Sequence, residues 1–205
     1  MSNEQFYSLS PEKLLALTAY GEAASEGVEG MMAVINVIIN RAKYPKTEAN
    51  WFDDAIYAST NSVWHAVILS PKQFSAFNST DPVRNTLINL MQNFDYNLQY
   101  NTILNQAYQL GQLAVSGLLE DNTYGATHYY NPTKAAPTWA LKIPVIGVIG
   151  NHVFHSVYSA SQRIREIYTA GTEYVKQKTG INATYVLAIL MAAFGGLLII
   201  RKRRS

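Results

Sequence analysis

Two carboxylates four residues apart are the first candidates for chemistry: Glu22, within Ala19-Tyr20-Gly21-Glu22-Ala23, and Glu26, within Ser25-Glu26-Gly27. Glu22 falls near the end of the first predicted helix, where it meets the negative end of the helix dipole. That position disfavours ionisation and suits a group that must hold a proton. Glu26 would share the face of Glu22 if the helix ran on. The Ser25-Glu26-Gly27 break argues against that, so Glu26 is a candidate second carboxylate or a cap for the next helix. A lone glutamate is usually a solvated surface residue. What singles out Glu22 is the company it keeps.

The remaining chemical residues lie far along the chain. Gly125-Ala126-Thr127-His128-Tyr129-Tyr130-Asn131-Pro132 and Gly150-Asn151-His152-Val153-Phe154 are rich in rings and amides, and Trp139 lies between them. These distant pieces are expected to form one cleft around Glu22. The Gly150-Asn151-His152 stretch reads as a turn and strand that hold it together. His128, His152 and His155 raise the question of zinc, which needs about three ligands of His, Asp or Glu. Alternation along a strand would put His152 and His155 on opposite sides, so neither a metal nor any other cofactor is expected. The chain has no cysteine, which excludes disulfides, thiolate metal sites and thiol nucleophiles.

Helices must position these groups. Ser10-Pro11-Glu12 is a helix start: serine suits the cap, proline the first turn and glutamate the positive dipole end. Leu14, Leu17 and Thr18 then share a face, with Gly21 a turn further on. A second helix is predicted from about Val28 to Ala42. Met31, Val34, Ile35, Ile38 and Ile39 give it a wide apolar face, which marks it as the central buried helix. Arg41 suits its C-terminal end and Pro45 stops it.

Residues 46–82 read as short helices and loops, with one helix candidate near Asp53 and a turn at Ser70-Pro71 leading to an extended piece. Further helices are predicted over 83–93 and from Thr102 to Leu118. The latter presents Ile103, Ala107, Leu110, Ala114 and Val115. Thr127–Tyr130 and Val148–Phe154 are strand-like, giving two or three short strands. Helix returns over 159–178.

The net charge of +2 resides in the last residues. Without Arg201, Lys202, Arg203 and Arg204, residues 1–200 carry 12 basic against 14 acidic groups. The body is therefore no basic nucleic-acid binder. Ala183–Ile200 holds 18 residues without a charge. Residues 181–200 suffice to cross a bilayer core of about 30 Å at about 1.5 Å per residue. The alternative is a buried C-terminal helix. A lipid-bilayer partner and a single-pass C-terminal anchor are expected. The basic tail favours the cytoplasmic side. Ala188, Ala192 and Gly196, spaced by four, form a small-residue stripe suited to self-association.

The blocks Leu14–Ala23, Glu26, Glu29-Gly30, Ala33-Val34, Asn40-Arg41, Pro71-Lys72-Gln73-Phe74-Ser75, Gly125–Pro132, Trp139 and Ile149–Phe154 occur in one order across residues 12–155. Together they resemble the cell wall hydrolases of the spore-cortex-lytic type. The resemblance implies a lysozyme-related α+β domain, mainly helical with a small antiparallel sheet. It implies a peptidoglycan substrate, cut between N-acetylmuramic acid and N-acetylglucosamine, and a lytic-transglycosylase reaction with Glu22 as the acid. The chain departs from the family around residues 43–70, which are longer and richer in asparagine and aromatics.

A transglycosylase needs one carboxyl. It protonates the leaving oxygen, then takes the proton of the muramic 6-hydroxyl. A hydrolase ordinarily needs a second carboxylate about 5–9.5 Å away, and here Glu26 is the candidate. Tyr129, Tyr130 and Trp139 are candidate stacking surfaces for sugar rings, and Asn131, Gln73 and Ser75 candidate hydrogen-bonding subsites.

The expected layout is a catalytic domain over 1–158, a juxtamembrane helix over 159–180, a membrane span over 181–200 and a basic tail over 201–205. Its expected setting is the host cell envelope or a viral membrane, with use by a bacteriophage at infection or lysis. The competing classes are a muramidase-type hydrolase, a zinc amidase and a non-catalytic glycan binder.

Overall fold

A computed structural model describes residues 3–43 and 51–159 together with Gln162. The chain as far as Val157 forms one compact unit. The predicted membrane span 181–200, its Ala188, Ala192 and Gly196 stripe and the 201–205 tail all lie outside the described residues. Among the described residues, no helix is long and apolar enough to cross a membrane.

The unit is mainly helical with one small sheet. Helix α1 spans Pro11–Ala23. Ser10 stands before it in extended conformation, but its hydroxyl donates to Glu12 Oε1 at 2.6 Å and caps no backbone amide. Residues 14–19 of α1 are buried on every side. Helix α2, Gly27–Lys43, is deeply buried from Met31 to Arg41 but keeps Met32 and Ile39 half-buried. Residues 33–38 of α2 are likewise buried on every side, as its wide apolar face predicted, so α1 and α2 together form the centre of the unit. Alanines and one threonine fill the positions of α1 where polar residues would mark a surface. Thr18 satisfies its own hydroxyl by donating to Leu14 O at 2.8 Å.

Four more helices pack around this pair or extend its rim: α3, Asp54–Thr60; α4, Val63–Ile68; α5, Val83–Gln92; and α6, Phe94–Tyr100. Asp53 caps α3 by accepting from the amides of Ala55 and Ile56, at 2.9 and 3.0 Å. Beyond the Ser70-Pro71 turn the chain does not extend as expected. It makes a 3₁₀ turn at Ser75–Phe77, whose consequence for Glu22 appears below.

Helix α7, Thr102–Val115, buries Leu104, Ala107, Leu110, Gly111 and Ala114. Ile103 and Val115, expected on that face, are 39% and 45% exposed. The reason is a close approach: a Cβ on Gly111 would lie 2.6 Å from the carbonyl oxygen of Glu12 in α1. Contact at that glycine turns the buried stripe of α7 toward Leu104.

The sheet has three antiparallel strands in the order β1-β3-β2: β1, His128–Tyr130; β2, Val145–Ile149; β3, His152–His155. The predicted strand Val148–Phe154 is thus a hairpin, turning at Gly150, whose φ of +56° favours glycine. One face of the sheet seals a small second core, in which Phe154 and Ala126 meet Ala33 and Val37 of α2.

Polar latches fix the loop before β1 to α2. Asn36 Nδ2 donates to Glu120 O at 2.8 Å, and Asn40 Nδ2 donates to Asp121 Oδ2 and Ala126 O, both at 3.1 Å. The Asp121 carboxylate in turn accepts from the amides of Thr123 and Gly125, at 2.8 Å each. Buried amides with their partners supplied set a register more sharply than apolar contact can.

Candidate active site

Glu22 lies on the last turn of α1, beside an open cleft of about 840 Å³. Its neighbour Gly21 is required by a close approach, since a Cβ there would lie 2.7 Å from Ala76 Cβ. That contact brings the 3₁₀ turn against the end of α1. Ala76 N donates to Glu22 Oε1 at 2.9 Å and Ser75 Oγ to the same oxygen at 3.3 Å. From the opposite wall, Tyr129 Oη donates to Glu22 Oε2 at 3.0 Å. Residues 22, 75 and 129 thus meet at one carboxyl.

The Glu22 pKa is raised above the ordinary carboxylate value. Burial is the main cause, with a small addition from the Asp81 charge, while the Ala76, Tyr129 and Ser75 hydrogen bonds pull the other way. Desolvation, rather than the helix dipole on which the sequence reading rested, is the larger physical reason. The phenol of Tyr129 is itself pushed well above 10, first by burial and then by the Glu22 charge. It therefore stays a donor.

Removing that donor gives a test. Tyr129→Phe deletes a bond that favours the carboxylate, so the Glu22 pKa rises further. For an acid that must start protonated, the alkaline fall of kcat/KM should move to higher pH. The maximal rate should drop about ten- to a hundredfold, the size of one hydrogen bond to a charged group. A pH–rate profile checks both. An unmoved alkaline limb would detach Tyr129 from the acid.

The cleft walls gather most of the other expected residues. Gln73, Ser75, Tyr129, Tyr130, Asn131 and Trp139 all line it. Gln73 Oε1 accepts from Arg41 Nη1 at 3.1 Å. Asn131 Oδ1 accepts from the amide and hydroxyl of Thr133, at 2.9 and 2.7 Å. That leaves its Nδ2 as the group able to meet a ligand. Trp139 stands edge-on to Tyr130 at 5.7 Å and to His155 at 5.3 Å between ring centroids. His128 lies 4.8 Å from Trp139 and 5.6 Å from Trp51. This forms an aromatic wall with a neutral imidazole in it: burial, the Arg41 charge and His155 lower the His128 pKa to about 3.

Glu26 is not among the lining residues. The α1 helix gives way to a 3₁₀ turn at Ala24–Glu26, and Gly27 has a φ of +69°. This turn carries Glu26 to the β2–β3 hairpin instead. There its carboxylate accepts from Asn151 N and Nδ2, each at 2.9 Å. Those two bonds lower its pKa below the ordinary value. A Cβ at Gly150 would collide with Glu26 Oε2. Glu26 and the Gly150-Asn151 turn therefore fit one another as a latch.

Sequence reasoning missed several lining residues. Arg41, assigned only to the helix dipole, is buried: Nε donates to Thr127 O at 2.7 Å. Its guanidinium lies 5.5 Å from the Trp51 ring centre and 5.3 Å from that of Phe74. Its place in the Asn40-Arg41 block was the available signal. Lys72, within the Pro71–Ser75 block, also lines the cleft, as do Asp81 and Lys134, which no such block contains. The three histidines are distributed among ring contacts, His152 edge-on to Tyr129 at 5.2 Å. Among the described residues, no group of three or more His, Cys, Asp or Glu could hold a metal.

The chain is 31% identical over 150 residues to a spore cortex-lytic enzyme of Oceanobacillus iheyensis, covering 73% of this chain and 43% of that protein. It is 31% identical over 148 residues to a spore cortex-lytic enzyme of Halalkalibacterium halodurans, covering 72% of this chain and 35% of that protein. The chain thus spans less than half the length of these relatives.

Two solved structures are also similar. The catalytic domain of the Bacillus cereus SleB protein shares 30% identity, covering 71% of this chain and 89% of that one, at a TM-score of 0.48. The catalytic domain of the germination-specific lytic transglycosylase SleB of Bacillus anthracis shares 29%, covering 73% and 98%, at 0.47. The cell wall hydrolase family model matches residues 25–155, from just after Glu22 to the end of β3. On that match and on the identity to its relatives, the chain belongs to the cell wall hydrolase family.

Proposed function

We propose that the protein cleaves peptidoglycan glycan strands between N-acetylmuramic acid and N-acetylglucosamine, as a lytic transglycosylase with Glu22 as acid and base. The observation that carries this reading is a desolvated carboxyl, Glu22, held by three donors on the wall of an aromatic cleft. Burial keeps Glu22 protonated to higher pH than an exposed glutamate, so it can give its proton to the glycosidic oxygen as the C–O bond breaks. The Ala76, Ser75 and Tyr129 donors then stabilise the carboxylate this leaves. That carboxylate accepts the proton of the muramic 6-hydroxyl while its oxygen bonds to the anomeric carbon. The product is a 1,6-anhydro ring, and Glu22 is neutral again. Tyr130 and Trp139 offer ring faces to the sugars, and Asn131 Nδ2 a donor for hydroxyl or acetamido groups.

Hydrolysis is the second reading, and one observation favours it: Asp81 lines the same cleft and raises the Glu22 pKa by its charge. If water is the acceptor, Asp81 precedes Glu26 as the second carboxylate. Mass spectrometry of fragments released from purified peptidoglycan by the full chain separates the two. Anhydro-ended fragments are expected, with Asp81→Asn reducing their yield less than tenfold, because a transglycosylase has no step for a second base. Reducing ends, lost in Asp81→Asn, would establish hydrolysis. Free stem peptides would overturn both readings.

The proposed location is a membrane. The support is the uncharged run over 183–200 followed by Arg201-Lys202-Arg203-Arg204. Retention of the full chain in the membrane fraction after alkaline washing tests it, and release into the supernatant would count against an anchor.

A further inference from the structure

A second concave surface lies at the junction of α5 and α6. It is a shallow cavity of about 580 Å³ lined by Thr86, Asn89, Leu90, Asn93, Tyr96 and Asn97. None of these side chains is charged at neutral pH. Tyr96 and Tyr100 stand beside it, 65% and 72% exposed, with ring centroids 4.9 Å apart. Large rings so exposed contribute nothing to a core. Asn89, Asn93 and Thr86 direct no side-chain hydrogen bond to another of the described residues, although each carries donors and acceptors. Asp95, the one nearby acid in α6, is paired with Lys13 at 2.9 Å.

These features select an occupant. No cation is present among the lining residues to meet a phosphate or carboxylate, and three amides with a hydroxyl are too polar for a lipid or an apolar helix. An exposed ring pair beside such amides suits a neutral chain of hydroxyl and acetamido groups, with apolar sugar faces to stack. Position adds to composition. Val83, at the start of α5, lines the Glu22 cleft. Thr86 and Leu90 follow it at spacings of three and four along one side of the helix, and Asn93 stands at the junction with α6. Ten residues of α5 extend about 15 Å, so one helix links the two sites.

We infer that the Asn89, Asn93 and Tyr96 surface is a second, non-catalytic binding site for the N-acetylated glycan strand. It rests on the proposed reading of the substrate as such a strand. A polymer engaged at both sites binds more tightly than either site alone allows, because the second contact is intramolecular.

The test uses the full chain with Glu22→Gln, so that cleavage does not release it, and compares it with the same chain carrying Tyr96→Ala and Asn93→Ala. The probe is insoluble purified peptidoglycan in a co-sedimentation assay. The paired substitution should weaken binding about tenfold, equivalent to one good contact. On the Glu22-containing enzyme it should raise KM for the polymer by a similar factor. Turnover of a soluble fragment short enough to occupy only the cleft should be unchanged, with an unchanged Tm confirming the fold. Undiminished sedimentation would overturn the inference, as would equal losses on polymer and short fragment. Loss of binding to another protein, with sedimentation intact, would make this a protein-docking surface and also overturn it. Failure of the catalytic reading is a separate outcome: the unsubstituted chain would release no fragments, whatever Tyr96→Ala does to sedimentation.

Discussion

Glu22→Gln should lower glycan cleavage by roughly 10³–10⁴-fold, the upper part of the range for a positioned general acid. The upper part applies because, in the proposed reaction, one carboxyl serves both proton transfers, and the amide can serve neither. Release of anhydro-ended fragments from peptidoglycan measures it. Stability should move the other way. Because the folded pKa of Glu22 is raised, its ionised form is disfavoured in the fold. That cost is absent below the ordinary carboxylate value and grows until pH exceeds the raised one. A neutral amide in its place carries no such cost, and the amide oxygen can still accept from Ala76 N, as the carboxyl does. The variant should therefore match the parent Tm at low pH and equal or exceed it at pH 8. Activity within tenfold of the parent would remove Glu22 from the chemistry. A Tm that falls at pH 8 but not at low pH would show that the carboxylate, not the acid, is the form the fold prefers.

Glu22 was visible in the sequence as a candidate acid, while its setting was not. A glutamate inside Ala19-Tyr20-Gly21-Glu22-Ala23 is conspicuous because that block belongs to the resemblance to the spore-cortex-lytic type. The small residues are there for contact: Gly21 admits Ala76, and Ala19 and Ala23 are buried. The groups that tune the acid come from sequence distances of 53, 54 and 107 residues. Pairings of that range depend on how the Ser75–Phe77 turn and β1 pack, which no local pattern encodes. Tyr129 was legible as a ring on a short strand, but not as a donor to Glu22.

The helices show the same division. Pro11 and the apolar spacing placed α1, and the α2 boundaries followed from Gly27 and the apolar stripe. The buried side of α7 did not follow, because Gly111 governs how closely that helix meets Glu12. An absent side chain leaves no mark on a hydrophobic pattern. Gly150-Asn151 was legible as a turn within the strand-like run Val148–Phe154, but the residue that holds it was not. Gly150-Asn151 is stabilised by Glu26, 125 residues before Asn151. The family resemblance covered the ordered blocks, and the loops between them supplied Trp51 and Asp81, which it did not single out.

Arg41→Ala should be the most destabilising single change in the cleft, at about 2–4 kcal/mol, the cost of losing bonds from a buried charged donor and leaving a void. Arg41 is 5% exposed, and its removal orphans Thr127 O at the root of β1 and Gln73 Oε1 on the facing loop. The two walls that hold Glu22, Tyr129 on one and Ser75-Ala76 on the other, are the segments these bonds tie to α2. The expected Tm loss is about 4–16 °C for a unit of this size, with cleavage falling further than the folded fraction does. Arg41→Lys should recover little. A single ammonium cannot direct donors to both carbonyls while its stem lies between the Trp51 and Phe74 rings, as the planar guanidinium does.

An independent readout tests the same placement. The Arg41 charge is the second cause, after burial, that lowers the His128 pKa to about 3. In Arg41→Ala the imidazole should titrate at higher pH while staying below the ordinary histidine value of about 6.5, since burial persists. An NMR titration of His128 in the folded variant would show the shift. A folded Arg41→Lys enzyme with parental Tm would refute the bidentate role. An unmoved His128 in Arg41→Ala would mean that the guanidinium does not face the aromatic wall, and the coupling of the two walls through α2 would have to be abandoned.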